Sequence, residues 1–368
     1  MYVYRHLMRI MSEEEITTYE KLVNVLREQL FEYIDRIVDL EAQYLKSISV
    51  NEDVLRRYVR SLADIESYMP NRMVALDGGS ANINMEIGHL GLYVALAVVF
   101  PEMRRIYLKD SCGLIPSDPT RISEYVDPIM FNRLLDLRRE RKVFELACYI
   151  ARNMKVDVIL IDGPLIPTPK IGLDDVNKEL SEEYDMYFRA IRELHRICYE
   201  KEILLIGFVK RARSKLIMRD LEDSEVVMPE PLRRGLLLPD TYDTMIVDLV
   251  LKEGELFPYP PMIIKHNKAK YIQSISCFIK VNEDITPFRV DIAGSALKEG
   301  YSAFERGIGL IKEYMTSYGV PYPILKVDEE VKLSRRLIRE LYDDLRYRYF
   351  SKVKDRIVSI KTIWGESL

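Results

Sequence analysis

The 368-residue chain is poor in the side chains that hold soft or borderline metals, with four cysteines and four histidines. Cys112, Cys148, Cys198 and Cys277 lie far apart, which excludes a CxxC redox pair and a cysteine-rich zinc knuckle. Their apolar neighbours read as reduced, buried thiols. His6, His89, His195 and His266 are equally isolated, so a histidine-based zinc site and a Ser-His-Asp triad both lack support. Neither sign of charge dominates: 54 Lys and Arg face 58 Asp and Glu, a net charge of -4. That excludes coating nucleic acid by bulk charge and leaves room for a local basic groove. The longest apolar run, Gly91 to Phe100, falls well short of the roughly 20 residues a membrane span needs. The first residues, MYVYRHLMRIMSEEE, turn acidic before any apolar core long enough for a signal peptide. With the thiols reduced, the expected location is cytoplasmic, away from membranes. No GxGxxG opens a helix and no GxxxxGK[ST] is present, so dinucleotide and P-loop readings lose their main support. Only three glutamines stand beside abundant Ile, Lys, Arg and Glu, a bias seen in proteins from hot environments.

What is present suits a globular protein of about two to three units. At this size the chain buries roughly 70–75% of its unfolded surface and needs no disulfide or structural metal to fold. Residues 13–46 carry apolar side chains at three- and four-residue spacing, which predicts a long helix, and a second starts at Asn51. We expect residues 1–69 to be a helical region that packs on the main domain, makes a dimer contact or serves as an arm. From Arg72 the pattern becomes α/β. Met73–Leu76 predicts a strand running into a turn at Asp77-Gly78-Gly79-Ser80, with further strands at 93–100 and 105–109. A helix over 128–153 leads to a strand at 156–161 that ends in Asp162-Gly163-Pro164. A helix over 179–201 and a strand at 203–209 follow. Residues 211–270 are rich in Pro, Gly and charge and read as an insertion. Strands at 274–281 and 288–292 and helices over 300–317 and 329–350 complete a domain spanning 70–350, before a tail at 351–368. The expected fold is a mixed sheet flanked by helices.

The chemistry concentrates on carboxylates. Asp77 and Asp162 each end an apolar strand before a glycine, which leaves both side chains at the carboxyl edge of a sheet. Neighbouring parallel strands lie about 5 Å apart, and two carboxylates so close repel unless a cation or proton is shared. A divalent metal resolves that repulsion and supports phosphodiester hydrolysis. Taken singly, each aspartate also reads as a turn cap. Glu145, on the helix before the second aspartate strand, shares a stripe with Arg138, Arg141, Tyr149 and Arg152. It reads either as a glutamate held over the strand ends or as half of an ordinary ion pair with Arg141. Lys210, Arg211, Arg213 and Lys215 directly follow a strand and form a candidate phosphate-gripping loop. Lys268 and Tyr271 belong to a second basic cluster whose aromatic ring suits stacking on a base. Either cluster also reads as a solvated loop.

The segments DGGS, FELACYIARN, VDVILIDGPL, GFVKRARSK, PFRVDI and GVPYPILKVDEE, in this order, resemble the NurA nucleases of archaea and bacteria. The likeness covers roughly residues 70–345, and order and spacing carry it. It implies an RNase H-like (Piwi-like) core and a manganese-dependent nuclease, with magnesium as the alternative ion and two ions in the site. It further implies 5′ to 3′ digestion of single- and double-stranded DNA and internal cutting of single strands. The implied partners are DNA, a second copy in a ring-like homodimer, a hexameric HerA-type ATPase that translocates DNA, and Mre11–Rad50 in end resection for double-strand-break repair. By position, Asp77, Glu145 and Asp162 correspond to the family's metal carboxylates and Lys210 to its lysine. Arg289, expected on DNA, and Asp291 fall in its late arginine strand. Asp328 stands where the family has histidine; it still binds a hard cation through oxygen but offers no imidazole. The doubled glycine also departs from the family's DGS.

These residues together define the expected reaction. Asp77 would anchor the metal pair, Glu145 and Asp162 complete the inner shell, Asp328 hold the outer ion and Lys210 offset charge on the phosphorus. Arg211, Arg213 and Lys215 would hold the DNA backbone irrespective of sequence. The missing histidine keeps a second reading open, a weak or inactive RNase H-like scaffold that binds DNA for a translocase. An ATP-using enzyme of actin-like fold is a third, and RNA remains a possible substrate within the nuclease class.

Overall fold

The apolar runs 73–76 and 158–161 lie side by side and parallel, Met73 beside Val158 through Leu76 beside Ile161. Strands covered on both faces read as such continuous runs, and these two form the middle of the sheet. The computed structural model describes residues 13–49, 52–85, 88–166, 178–210, 212, 224–227, 243–266 and 272–332, together with 340, 341, 343, 344 and 347. The chain begins with α1 (Glu13–Ser49), α2 (Glu52–Arg56), β1 (Arg60–Ser61), β2 (Met73–Met85), β3 (Gly88–Phe100), β4 (Arg104–Ile106) and β5 (Cys112–Ile115). Then come α3 (Pro128–Asn153), β6 (Val158–Asp162), α4 (Lys178–Glu200), β7 (Leu204–Val209), β8 (Ser224–Val227), α5 (Asp243–Val250) and β9 (Glu255–His266). The last elements are β10 (Gln273–Lys280), β11 (Phe288–Gly294), α6 (Ala296–Glu299), α7 (Tyr301–Glu313) and α8 (Tyr322–Val331).

The strands form one sheet in the order β1-β9-β10-β11-β7-β6-β2-β3-β4, with β5 on β3 and β8 on β9. β2, β6 and β7 are parallel, and β2, β3 and β4 form an antiparallel meander. The stretch β4-β3-β2-β6-β7 is the expected RNase H-like mixed sheet, and antiparallel β11, β10 and β9 extend it. Two hydrophobic layers cover its faces. Val74, Leu76, Ile159 and Ile161 pack under Phe144 and Ala147 of α3 and Ile191 and Leu194 of α4. Ala75, Val158, Leu160 and Ile206 pack under Phe304 and Ile308 of α7 and Ile324 and Val327 of α8. Alternation along each strand thus sends successive side chains to opposite helical layers.

Helix α3 has the predicted bounds because Asp127 caps it, accepting from the Ile129 and Met130 amides at 2.8 and 3.2 Å, with Pro128 in the first turn. Three expectations need correction. The DGGS segment is not a turn: β2 continues through it, paired with β3 all the way to Met85. The 211–270 stretch is not only a loosened insertion, since it contributes α5 and the long strand β9 beside β10. Not all four thiols are buried: Cys112, on β5 at the outer side of β3, is exposed. Asn51 lies outside the described residues, as does most of 333–350. Helix α1 leaves Leu22, Leu26, Leu30, Phe31 and Ile34 exposed. Among the described residues, no helix is long and apolar enough to cross a membrane.

Candidate metal centre

Asp77 and Asp162 each lie one residue beyond the last parallel pair, Leu76 beside Ile161. Strand β6 ends at Asp162 whereas β2 runs on, so the site opens where the parallel neighbour stops. Alternation from Ala75 and Leu160 directs both carboxylates to the face covered by α7 and α8. Helix α8 brings Asp328 over them. One carboxylate oxygen from each of Asp77, Asp162 and Asp328 lies within 4.8 Å of the other two. Lys210, just past β7, places Nζ 2.6 Å from Asp162 Oδ2 and 3.6 Å from Asp328 Oδ1.

Three negative groups against one lysine is an unbalanced set. Burial pushes the Asp77 carboxyl up to about 7, and the charge of Asp162 adds to the shift. The Gly78 amide, donating at 2.6 Å, and Lys210 oppose it without cancelling it. Burial likewise raises Asp162, with Lys210 pulling the other way. For Lys210 itself burial acts downward, but attraction to Asp162, Asp328 and Asp77 outweighs it and keeps the ammonium charged. An all-oxygen donor set with residual negative charge fits a hard divalent cation such as manganese or magnesium.

The doubled glycine is what lets two helices approach β2 from opposite sides. A Cβ on Gly78 would lie 2.7 Å from Arg139 Cγ and 2.9 Å from Val143 Cγ2 of α3. On Gly79 it would lie 2.1 Å from the Val331 carbonyl oxygen at the end of α8. Gly79→Ala is therefore expected to push α8, and Asp328 with it, off the sheet. A roughly tenfold or greater loss of divalent-metal affinity should follow, read as a smaller metal-induced rise in melting temperature.

A cleft of about 240 Å³ opens on the cluster, and Arg139, Glu140, Phe144, Tyr187 and Pro164 line it with the three aspartates. Glu145 is not brought into it. Its carboxylate is held by Arg141 Nη1 at 2.9 Å and Lys142 Nζ at 2.8 Å, and Lys142 also binds Asp110. The helix carboxylate in the cleft is Glu140, five residues earlier and so about 140° away around the helix. Burial raises the Glu140 pKa, while attraction to Arg139 and the Tyr187 hydroxyl draws it back. The sequence held a signal for this. Glu140 lies on the stripe of Phe144, Ala147 and Ala151, which are buried, whereas Glu145 shares its stripe with the exposed Tyr149.

Arg289 is not on a DNA-accessible surface. It is 7% exposed and inside the sheet, donating from Nε and Nη2 to Asp291 at 3.0 and 3.1 Å. Every residue of β11 is buried, so a guanidinium there serves a buried partner. Arg211, Arg213, Lys215, Lys268 and Tyr271 lie outside the described residues. A larger cleft of about 510 Å³ lies between α3, α4 and residues 121–125. Its charges are spent internally, Arg138 on the fully buried Glu183 and Arg121 on Glu124 and Glu179.

A family model described as the NurA domain matches residues 71–333. The crystal structure of the NurA nuclease from Sulfolobus solfataricus is similar at 17% identity and a TM-score of 0.57, over 94% of this chain and 100% of that one. A second NurA crystal structure is similar at 12% identity and a TM-score of 0.52, over 87% of this chain and 98% of that one. One of NurA bound to dAMP and manganese is similar at 10% identity and a TM-score of 0.50, over 89% and 98%. At these identities the likeness to solved structures is one of fold. No curated protein matches the sequence.

Proposed function

The chain belongs to the NurA domain family, and from that premise we propose that it is a divalent-metal-dependent nuclease hydrolysing DNA phosphodiester bonds. The observation that carries this reading is the meeting of Asp77, Asp162 and Asp328 within 4.8 Å, where burial and the charge of Asp162 raise the Asp77 pKa. These three would hold the metal, with Glu140 at the cleft wall as a fourth carboxylate. A bound divalent ion would supply Lewis acidity toward water and the phosphodiester, and charge to offset the carboxylates. Lys210 stays protonated and offsets negative charge building on the phosphorus. Asp77, ionised above about pH 7, serves as an anionic ligand, and Asp162 is kept in place by its 2.6 Å contact with Lys210. Manganese as the working ion, with magnesium as the alternative and two ions in the site, belongs to the same proposal. So do the 5′ to 3′ exonuclease and single-strand endonuclease activities in end resection. Work as a homodimer beside a HerA-type ATPase and Mre11–Rad50 also belongs to it. The order of family segments across 70–345 supports these finer statements.

The test is cleavage of end-labelled single- and double-stranded DNA by the full chain with manganese, magnesium or chelator. We expect cleavage with manganese and none with chelator. Because a proton and the metal compete for Asp77, apparent metal affinity should rise with pH, by up to about tenfold per unit, and level off above about pH 7. DNA binding without cleavage in any metal would replace this reading with the scaffold.

A further inference from the structure

Helix α3 sends several cations toward α4 and the sheet, and they are not equivalent. Arg138 and Arg141 donate to Glu183, a side chain with no exposed surface, at 2.6 and 2.5 Å. Lys142 is paired with Asp110 and Glu145. Arg139 differs in both seating and partners. Its aliphatic stem crosses β2 over Gly78, where a Cβ would lie 2.7 Å from Cγ and 3.3 Å from Cδ. Its guanidinium then reaches Ser80 Oγ, two residues along the same face of the strand, at 3.3 Å. The acidic partners of Arg139 are Asp136 at 3.1 Å, 56% exposed, and Glu140 at 3.4 Å, 40% exposed. The Asp136 carboxylate is solvated, and an ion pair of that kind is weak and exchanges readily.

Among the described residues, Arg139 is also the one cation lining the 240 Å³ cleft over Asp77, Asp162 and Asp328. Lys210, on Asp162 and Asp328, and a bound divalent ion would offset the carboxylates at the reacting phosphate, so a neighbouring backbone phosphate at the cleft wall needs a cation of its own. A guanidinium is suited to the task because its planar fork matches two phosphate oxygens, and its charge persists at every working pH. We infer that Arg139, seated over Gly78 and steadied by Ser80, is a substrate-binding residue that holds a backbone phosphate of DNA against the carboxylate cluster, exchanging its exposed partner Asp136 for the phosphate. This rests on the nuclease reading above and adds a residue to it. The first glycine of the doubled pair thereby gains a reason, since any side chain at 78 would displace the arginine stem.

The experiment compares wild type, Arg139→Gln and Arg139→Lys as full chains. Glutamine retains the stem over Gly78 and removes the charge; lysine restores the charge without the fork. Three readouts are needed: KM and kcat for a labelled single strand with manganese, single-strand affinity in chelator from 50 to 200 mM salt, and the metal-induced rise in melting temperature. Arg139→Gln should raise KM and Kd about tenfold and reduce the slope of log affinity against log salt by about 0.7, one single-strand phosphate contact. Its metal-induced thermal shift should stay that of wild type. Arg139→Lys should recover the salt slope and part of the KM. Unchanged KM and salt slope would overturn the inference, as would a fall in kcat alone, which would make Arg139 a support for Glu140. Lost metal response or lost folding in both variants would overturn it too, by making the role structural. If wild type neither binds nor cuts DNA, the nuclease reading fails as well; if wild type cuts and Arg139→Gln cuts with the same KM and salt slope, only Arg139 is misassigned.

Discussion

Asp77→Asn is expected to lower the DNA cleavage rate by about a thousandfold or more, equivalent to about 4 kcal/mol, while making the metal-free protein more stable at pH 8. The two effects share a cause. Asp77 is buried and, in addition, crowded by Asp162, so its carboxyl keeps its proton up to about pH 7 in the fold but only to about 3.8 when unfolded. Between those values the native state binds the proton that the unfolded state has lost, so stability falls as pH rises through the window. Below it both states are protonated and the penalty is absent; above about pH 7 both are ionised and it is complete. A three-unit shift bounds the penalty at about 4 kcal/mol, and Asn, still desolvated, recovers part of that. The expected result is a melting temperature roughly 2–4 °C higher for Asp77→Asn at pH 8 in chelator. Little difference is expected at pH 4. With manganese the order should reverse, because metal binding then stabilises only the wild type. A variant that cuts DNA within tenfold of wild type would remove Asp77 from the metal site.

Arg289→Ala is expected to cost about 3–5 kcal/mol of stability, the usual effect of leaving one member of a buried pair alone. Asp291 has no exposed surface and accepts from both Arg289 nitrogens, from Ser276 Oγ at 2.8 Å and from the Leu165 amide at 3.2 Å. Removing the guanidinium leaves a buried carboxylate with neutral donors only. Denaturant unfolding should show the loss, and the Arg289→Met/Asp291→Ala double variant should lose less than Arg289→Ala because no charge is stranded. Leu165 follows the Asp162-Gly163-Pro164 turn, so the pair also ties down the chain leaving the metal site. DNA affinity per folded molecule should keep its wild-type salt slope, since the guanidinium is inside the sheet. A wild-type unfolding curve with a reduced salt slope would restore Arg289 to the DNA surface.

The segments that were legible beforehand are those whose signal is local. Helix α3 announces itself through the Asp127 cap and Pro128, and β6 through a run of Val and Ile closed by Asp-Gly. The regions misread are those where a distant neighbour decides. Asp77-Gly78-Gly79-Ser80 looks like a turn by composition, yet β3 pairs with it residue for residue and keeps it extended. Strand β9 carries three prolines among its 12 residues and is strand because β10 and β8 pair with it.

For the site, residue type and strand context were enough to single out Asp77, Asp162 and Lys210, because the parallel pairing of β2 and β6 stops just before the two aspartates and leaves them at one edge. Family likeness added Asp328. The apolar stripe of α3 marked Glu140, but seating it in the cleft, placing Arg139 over Gly78 and burying Arg289 on Asp291 all required the tertiary structure. The amino-acid order by itself determined which carboxylates follow the apolar strand runs, since that is a matter of local periodicity. Which charges face one another was decided only when helices packed on both faces of the sheet, because side-chain pairing depends on helix rotation and on glycine-sized gaps between elements far apart in sequence.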